Sequence, residues 1–351
     1  MRTKITKEPK KKLKVLGVCA GQGALLFTFK DQLIANIEPR AVFHTKNEEQ
    51  WRLNFGEIPF LRSYELPKCK PDIIVSSPDC GASSVMRLSK KKTLGKPNDN
   101  KSINLVIRAI QELKPKVFLI ENLPRLLSFI TMGEFEQIFP DYKLIYHQAS
   151  VSEYGNSQIS RKRLLIIGVN RRHGKKYLDS FNNKFKVKEL KVTRNLLEAA
   201  YTGSNYMIPK DKVLAMYDYR KLPTKINLTV EEIHTLWMND FKDEKKWPIK
   251  TKKMSTLPGV YRLEANKAPL TLRPADRQFR PDGWPLGIED FKNIMGFPKR
   301  YKIYMPKGAN GAEYLYWLNK ARYTLAKGAC YEISLWFKKC LKNVPKNFND
   351  Q

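Results

Sequence analysis

Cys80 stands in SSPDCGAS, directly after the apolar β-branched run Ile73, Ile74 and Val75. A proline and an aspartate precede it and a glycine follows, so it falls in a turn at the end of a strand. Such a thiol is either buried filler or a nucleophile. Two further groups bear on the choice. Glu121 and Asn122 follow four apolar residues in KVFLIENLP, which puts an acid at the carboxyl end of another strand. That acid is either the start of a loop or a catalytic acid. Arg161 and Arg163 enter a third apolar run in SQISRKRLLIIGV, either as an ordinary basic edge or as part of the same site.

A second constellation points to a nucleoside-containing ligand. In VCAGQGALL, Gly21 and Gly23 lie between a strand and a helical segment. Glycines there let the backbone approach a ligand closely, although a tight turn needing positive φ explains them equally. The next strand, LIANIEP, delivers Glu38 at its tip, where open α/β sheets bind ribose hydroxyls.

These groups work together only if one architecture brings the strand ends to a common edge. The first half of the chain supplies it. Strand-like KVLGVCAG, LIANIEP, DIIVSSP and KVFLIENLP alternate with helix-like LLFTFKDQ, TKNEEQWRLNFG and NLVIRAIQELKP. GEFEQIFPDY reads as a further helix, and YKLIYHQASVSEYG with RLLIIGVN as a closing pair of strands. Strands interleaved with helices of this length indicate an α/β fold, a doubly wound and mostly parallel sheet.

From about residue 170 the alternation stops. NRRHGKKYLDSFNNKFKVKELKVTRN is strongly basic, NLTVEEIHTLWMNDFKDEKKW reads as a helix, and the stretch from Lys253 to Trp284 is rich in Pro and Arg. Helical signal returns in IEDFKNIMGFP and YEISLWFKKCLKN. The expected organisation is a basic arm over 1–14, an α/β core over 15–169, a smaller basic recognition region over 170–283, and a return to the core over 284–351.

The 351 residues carry 65 Lys and Arg against 34 Asp and Glu, a net charge of +31. So large an imbalance is costly through self-repulsion unless a polyanion offsets it, and nucleic acid is the first candidate. No apolar run of about 18 residues occurs, so no transmembrane helix or membrane partner is expected. The basic first residues have no apolar stretch before Val15 and do not read as a secretory signal. Five cysteines without a CxxC pair, and four histidines without HxxxH or HExxH, argue against a disulfide framework and a metal centre. A monomer in a reducing cytoplasm is expected.

Taken in order, these motifs resemble the DNA cytosine-5 methyltransferases, in a phage-type form. The resemblance covers residues 15–168 and, after the insert, about 284–342. VCAGQGA resembles the family's cofactor loop and SPDCGAS its Pro-Cys nucleophile loop. ENLP resembles its Glu-Asn-Val/Leu-Pro motif, and QISRKR its Gln-x-Arg-x-Arg segment. IEDFKNIMGFPKRYKI resembles the helix leading to its Gly-Phe-Pro turn, and TLAKGACYEI its last motif. The chain departs from the pattern at Cys19, Ala24, Gly81 and Leu286–Glu289, and Gln158 stands one residue farther from the Arg pair than usual.

The resemblance implies a Rossmann-like fold and S-adenosylmethionine as methyl donor. It places the cofactor against Cys19, Ala20, Gly21, Gly23, Ala24 and Leu25, with Glu38 on the ribose, Glu57 near the adenine, and Pro39 and Pro78 completing the pocket. It implies that Cys80 adds to carbon 6 of cytosine, that Glu121 holds N3 and the exocyclic amine, and that Arg163 or Arg161 pairs with the base carbonyl or a phosphate. Asn122 would order the loop backbone. The partner implied is double-stranded DNA, with the target cytosine flipped out and the basic insert holding phosphates and reading bases. Arg262, Arg273, Arg277 and Arg280 lie in its Pro-rich part. Two alternatives stand beside this reading: an RNA cytosine methyltransferase, since one branch of the family modifies transfer RNA, and a catalytically silent DNA-binding homologue.

Overall fold

The computed structural model describes residues 13–39, 47–79, 101–156, 158, 161–172, 177–182, 260–262, 277–279, 286–307 and 329–342, with single positions at 269, 271, 317, 320, 321 and 325. The nucleophile candidate Cys80, the first twelve residues of the basic arm, the expected helix over 227–247, Arg273 and Arg280 lie outside the described residues.

Seven strands form one sheet: β1 Val15–Val18, β2 Leu33–Ile37, β3 Phe60–Leu61, β4 Ile73–Ser76, β5 Val117–Asn122, β6 Tyr142–Ser150 and β7 Lys162–Asn170. Their order is β3-β2-β1-β4-β5-β7-β6. The first five are parallel to one another, and β7 runs antiparallel to both β5 and β6. Parallel neighbours require crossovers, and α1 Asn47–Phe55 and α2 Lys101–Leu113 lie in two of them. The other described helices are α3 Met132–Ile138, α4 Leu178–Asn182, α5 Ile288–Ile294 and α6 Tyr331–Lys342.

The sheet is buried on both faces, which is why β5 is buried along its whole length rather than alternately. Val15, Val75, Leu119 and Ile167 project to one face, in a single apolar cluster with Trp51 of α1, Phe291 of α5 and Trp336 of α6. Leu16, Ile74, Phe118 and Ile166 project to the other, with Val106 and Ile110 of α2 and Phe135 of α3. Each such aliphatic side chain contributes about 1.5–3 kcal/mol on burial. Segments 286–297 and 329–342 supply part of the first cluster, so the C-terminal stretch closes one layer of the core.

Three local readings change. LLFTFKDQ forms a 3-10 helix, Phe27–Gln32, rather than an α-helix. The strand read across YKLIYHQASVSEYG stops at Ser150, which caps a 3-10 turn, Val151–Tyr154, through a capping box with Glu153. The two-residue β3 carries no periodic signal and pairs only at Asn36–Phe60 and Ile37–Leu61. In the Pro- and Arg-rich stretch, β8 Val260–Arg262 and β9 Arg277–Phe279 form a parallel pair that includes Arg262 and Arg277.

Candidate active site

The strand order reverses direction between β1 and β4, with β2 on one side and β5 on the other. Ligands of open α/β sheets bind at such a switch point, beyond the carboxyl ends of the strands. The carboxyl ends of β1, β2, β4 and β5 lead to Cys19–Leu25, Glu38, Ser77–Asp79 and Glu121–Asn122 respectively. Because β7 is antiparallel, its first residues arrive at this same edge, and Arg161 and Arg163 come with them.

The turn after β1 is held from two sides. Gly21 N–H donates to Glu38 Oε2 at 2.8 Å, and Asn36 Nδ2 donates to Gly21 O at 3.1 Å. Gly21 has φ +57, and a Cβ there would meet nothing within 4 Å, so its outer side is open to a ligand. Gly23 has φ +84, and a Cβ there would lie 2.5 Å from the Phe55 ring and 2.9 Å from Trp51. The turn rests on an aromatic floor: Trp51 and Phe55 stack at 3.9 Å, and Tyr301 OH donates to Gln22 O at 3.0 Å.

Glu38 is buried at the tip of β2 and accepts from Gly21 N–H, at the strand end where open α/β sheets bind ribose hydroxyls. Ala20, Ala24 and Leu25 are buried in the apolar core, which leaves their backbone rather than their side chains available to a ligand at this turn. Cys19 adopts φ +52, its N–H donates to Ile37 O at 2.8 Å and its thiol to Ser102 O at 3.7 Å. Pro39 is half-buried just past β2, Pro78 is buried, and Glu57 is exposed in the turn after α1.

The second half of the site is built around Glu121, which is 4% exposed. Ser77 Oγ donates to its Oε2 at 2.6 Å. Arg163 Nε lies 2.8 Å from Oε1, yet no hydrogen bond reaches Oε1 among the described residues. The contact is therefore one of charge, with the Nε–H not directed at the oxygen. Arg163 instead donates from Nη1 to Lys162 O at 2.8 Å. Asn122 points its amide elsewhere: Nδ2 donates to Pro78 O at 3.1 Å, and Oδ1 accepts from Leu123 N at 2.8 Å. It thus ties β5 to the chain two residues before Cys80, and Asp79 N–H is held by Ser102 Oγ at 3.0 Å.

Arg161 is buried, hydrogen-bonded to the Cys330 thiol, and close enough to Glu121 and Arg163 to feel both charges. Burial, reinforced by the Arg163 charge, pushes its guanidinium down to about 10, which leaves it cationic at neutral pH. Burial pushes the Cys330 thiol up to about 11, against the pull of Arg161, so it is a neutral group in the site. Gln158 is fully buried and donates from Nε2 to Asn156 Oδ1 at 3.2 Å and to Ile294 O at 3.3 Å. It anchors the Arg-bearing segment to the C-terminal return.

The structure thus brings Glu121, Asn122, Arg161 and Arg163 together, and Glu38 with Gly21 in an adjoining group. Ser77, Asn36 and Cys330 were not among the residues singled out as site groups. Asn36 had a signal, being a polar residue inside the apolar strand LIANI; Ser77 and Cys330 had none beyond their place inside SPDCGAS and TLAKGACYEI. Among the described residues no cluster of His, Cys, Asp or Glu could hold a metal, and no helix is long and apolar enough to cross a membrane.

The whole architecture recurs in solved methyltransferases. A prophage-encoded E. coli protein described as a DNA modification methyltransferase superposes with TM-score 0.61 at 16% identity, over 95% of this chain and 99% of that one. The S. pombe Dnmt2 methyltransferase gives 0.59 at 14% identity, over 96% and 100% of the two chains. The Entamoeba histolytica methyltransferase EhMeth gives 0.59 at 15% identity, over 95% and 98%. No curated protein sequence matches significantly. The mixed seven-stranded sheet is that of the S-adenosylmethionine-dependent methyltransferases, and the open, glycine-lined turn with the buried Glu38 beside it fits that cofactor. The model of the C-5 cytosine-specific DNA methylases matches residues 29–314, and the chain belongs to that family.

Proposed function

We propose that the protein methylates carbon 5 of a cytosine in double-stranded DNA through a covalent adduct at Cys80. The observation that carries this reading is the buried Glu121 carboxylate, held by Ser77 and faced by Arg163 at the sheet edge where β4 runs toward Cys80. Bound against Gly21 and Glu38, S-adenosylmethionine supplies an electrophilic methyl group for carbon 5.

Each residue type suits a demand of that chemistry. Carbon 5 of cytosine is a weak nucleophile. The Cys80 thiolate adds to carbon 6, which turns the ring into an enamine-like species with its electron density on carbon 5. Glu121 holds N3 and the exocyclic amine and supports protonation at N3 as charge develops there. Arg163 and Arg161 offset negative charge on the base carbonyl or a neighbouring phosphate and favour the thiolate form of Cys80. Asn122 fixes the approach of the nucleophile loop through Pro78. Loss of the carbon-5 proton to a base then expels Cys80 and restores the ring. A base stacked in a duplex is out of reach of a thiol, so the target is flipped out at a cost of a few kcal/mol.

The segment 170–283 is proposed as the recognition region, with 15–169 and 284–351 as the catalytic core and 1–14 as a basic arm. The net charge of +31 favours a polyanionic substrate. DNA is favoured over RNA by the description of the matching family. Labelled methyl transfer measured on DNA and on RNA tests the assignment, and transfer to RNA alone would replace DNA as the substrate. DNA containing 5-fluorocytosine should trap the wild-type protein covalently, and a Cys80→Ser variant that still forms the adduct would refute the nucleophile.

A further inference from the structure

Two successive serines leave β4 and do different work. Ser76, on the strand, donates from Oγ to Leu119 O at 2.9 Å and so belongs to the sheet. Ser77, one residue on, donates to the Glu121 carboxylate at 2.6 Å. The chain around Ser77 is fixed, since Pro78 O accepts from Asn122 Nδ2 and Asp79 N–H from Ser102 Oγ. The hydroxyl is therefore presented to Glu121 from a rigid base.

A carboxylate ends in a torsion with a broad, roughly two-fold preference, so its two oxygens exchange places unless something holds them. Glu121 has two competing attractions. Ser77 engages Oε2, while Arg163, 2.8 Å from Oε1, contributes charge without an aligned hydrogen bond. Arginine binds carboxylates best in a two-pronged fork, and Arg161 adds a second cation to the same carboxylate's surroundings. With Ser77 on Oε2, Glu121 is kept out of that fork, and Arg163 contacts Oε1 alone.

We propose that Ser77 is a positioning residue of the methyl-transfer reaction. It fixes the rotation of the Glu121 carboxylate, so that the group is held for the N–H groups of an aminopyrimidine ring instead of turning to close both oxygens on the arginines. The inference rests on the reading of Glu121 as the carboxylate that meets the target base. It does not require Ser77 to touch substrate or cofactor.

The test is steady-state methyl transfer by the full chain, on whichever nucleic acid accepts the methyl group, for Ser77→Ala, Ser77→Thr and Glu121→Gln. Ser77→Ala is expected to lower kcat at least about tenfold, the scale of a lost hydrogen bond to a charged group. Its KM for S-adenosylmethionine and its thermal midpoint should stay near wild type. Ser77→Thr, which keeps the hydroxyl, should restore most of kcat. If Ser77→Ala folds poorly, Ser77→Cys, close in shape with a weak donor, carries the same expectation. Wild-type kcat in Ser77→Ala together with an inactive Glu121→Gln would overturn the role of Ser77 alone. Full activity in Glu121→Gln would overturn the reading of Glu121 on which it depends. A fall in kcat matched by a rise in cofactor KM and a lower midpoint would make Ser77 merely structural.

Discussion

Arg163 Nε lies 2.8 Å from Glu121 Oε1, and both side chains are withdrawn from solvent, at 13% and 5% exposure. Ion pairs in such surroundings are asymmetric: removing one partner strands the other charge and costs about 3–5 kcal/mol. Glu121→Gln keeps the shape but leaves Arg163 and the nearby Arg161 uncompensated. It should therefore lose stability as well as methyl transfer. Arg163→Ala leaves Glu121 its bond from Ser77 and the charge of Arg161, so its stability loss should be the smaller of the two. Denaturant unfolding of both variants measures the difference; equal losses would mean that Arg161 carries no share of the compensation.

Gly21 and Gly23 share a left-handed backbone but not a neighbourhood. Alanine at Gly21 enters open space and costs only the backbone, about 1–2 kcal/mol. Alanine at Gly23 pays the same and also drives a methyl into Phe55 and Trp51, where overpacking adds about 1–3 kcal/mol. Gly23→Ala should thus lower the thermal midpoint clearly. Gly21→Ala should fold nearly as well yet bind S-adenosylmethionine more weakly, because its methyl occupies the ligand side of the turn. Calorimetric titration with the cofactor, alongside thermal unfolding, separates the two; matching profiles would show that both glycines serve the fold alone.

What the sequence made legible follows from how local each signal is. The apolar runs Val15–Val18, Ile73–Val75, Val117–Ile120 and Leu164–Val169 announce strands buried on both faces, and the residues just past them announce a shared edge. The antiparallel direction of β7, which brings Arg163 to Glu121, is a tertiary fact that no spacing records. The same holds for Gln158. It stands one residue off the Gln-x-Arg-x-Arg spacing, and its bonds to Asn156 and Ile294 make it an anchor between segments far apart in the chain. Ser77 and Cys330 gain meaning only from partners 44 and more than a hundred residues away.

Asn36 is buried in β2 with its Nδ2 on Gly21 O and with no hydrogen bond to its Oδ1 among the described residues. It fits only because its neighbour across the ladder is Gly17, where a Cβ would fall 2.5 Å from Oδ1. An orphaned buried acceptor costs about 1–3 kcal/mol, close to what the Nδ2 bond returns. Asn36→Ala should accordingly change stability little while loosening the turn and weakening cofactor binding. Gly17→Ala should weaken it too, by pushing Asn36 off Gly21, and should destabilise as well. Unchanged cofactor affinity in Asn36→Ala would show that Glu38 alone holds the turn.

Cys330 gives the site a signature at alkaline pH. Its folded-state value of about 11 lies above the ordinary thiol value of 9.0, because burial outweighs the attraction of Arg161. The neutral thiol's contribution is therefore fully present below pH 9. It is lost as pH rises from 9 to 11, because the unfolded chain releases a proton that the folded one keeps. The slope from this one group is about 1.4 kcal/mol per pH unit inside that window and zero below it. Tyr142 and Cys340, each pushed up to about 12, add slopes of the same sign, and Arg161, pushed down to about 10, opposes them. All three remain in Cys330→Ser, which replaces the thiol by a hydroxyl that does not titrate there. Unfolding free energies of wild type and Cys330→Ser between pH 8 and 11 should run parallel below pH 9 and converge or cross above it. Parallel curves throughout would mean that the Cys330 thiol is not held neutral by its burial beside Arg161.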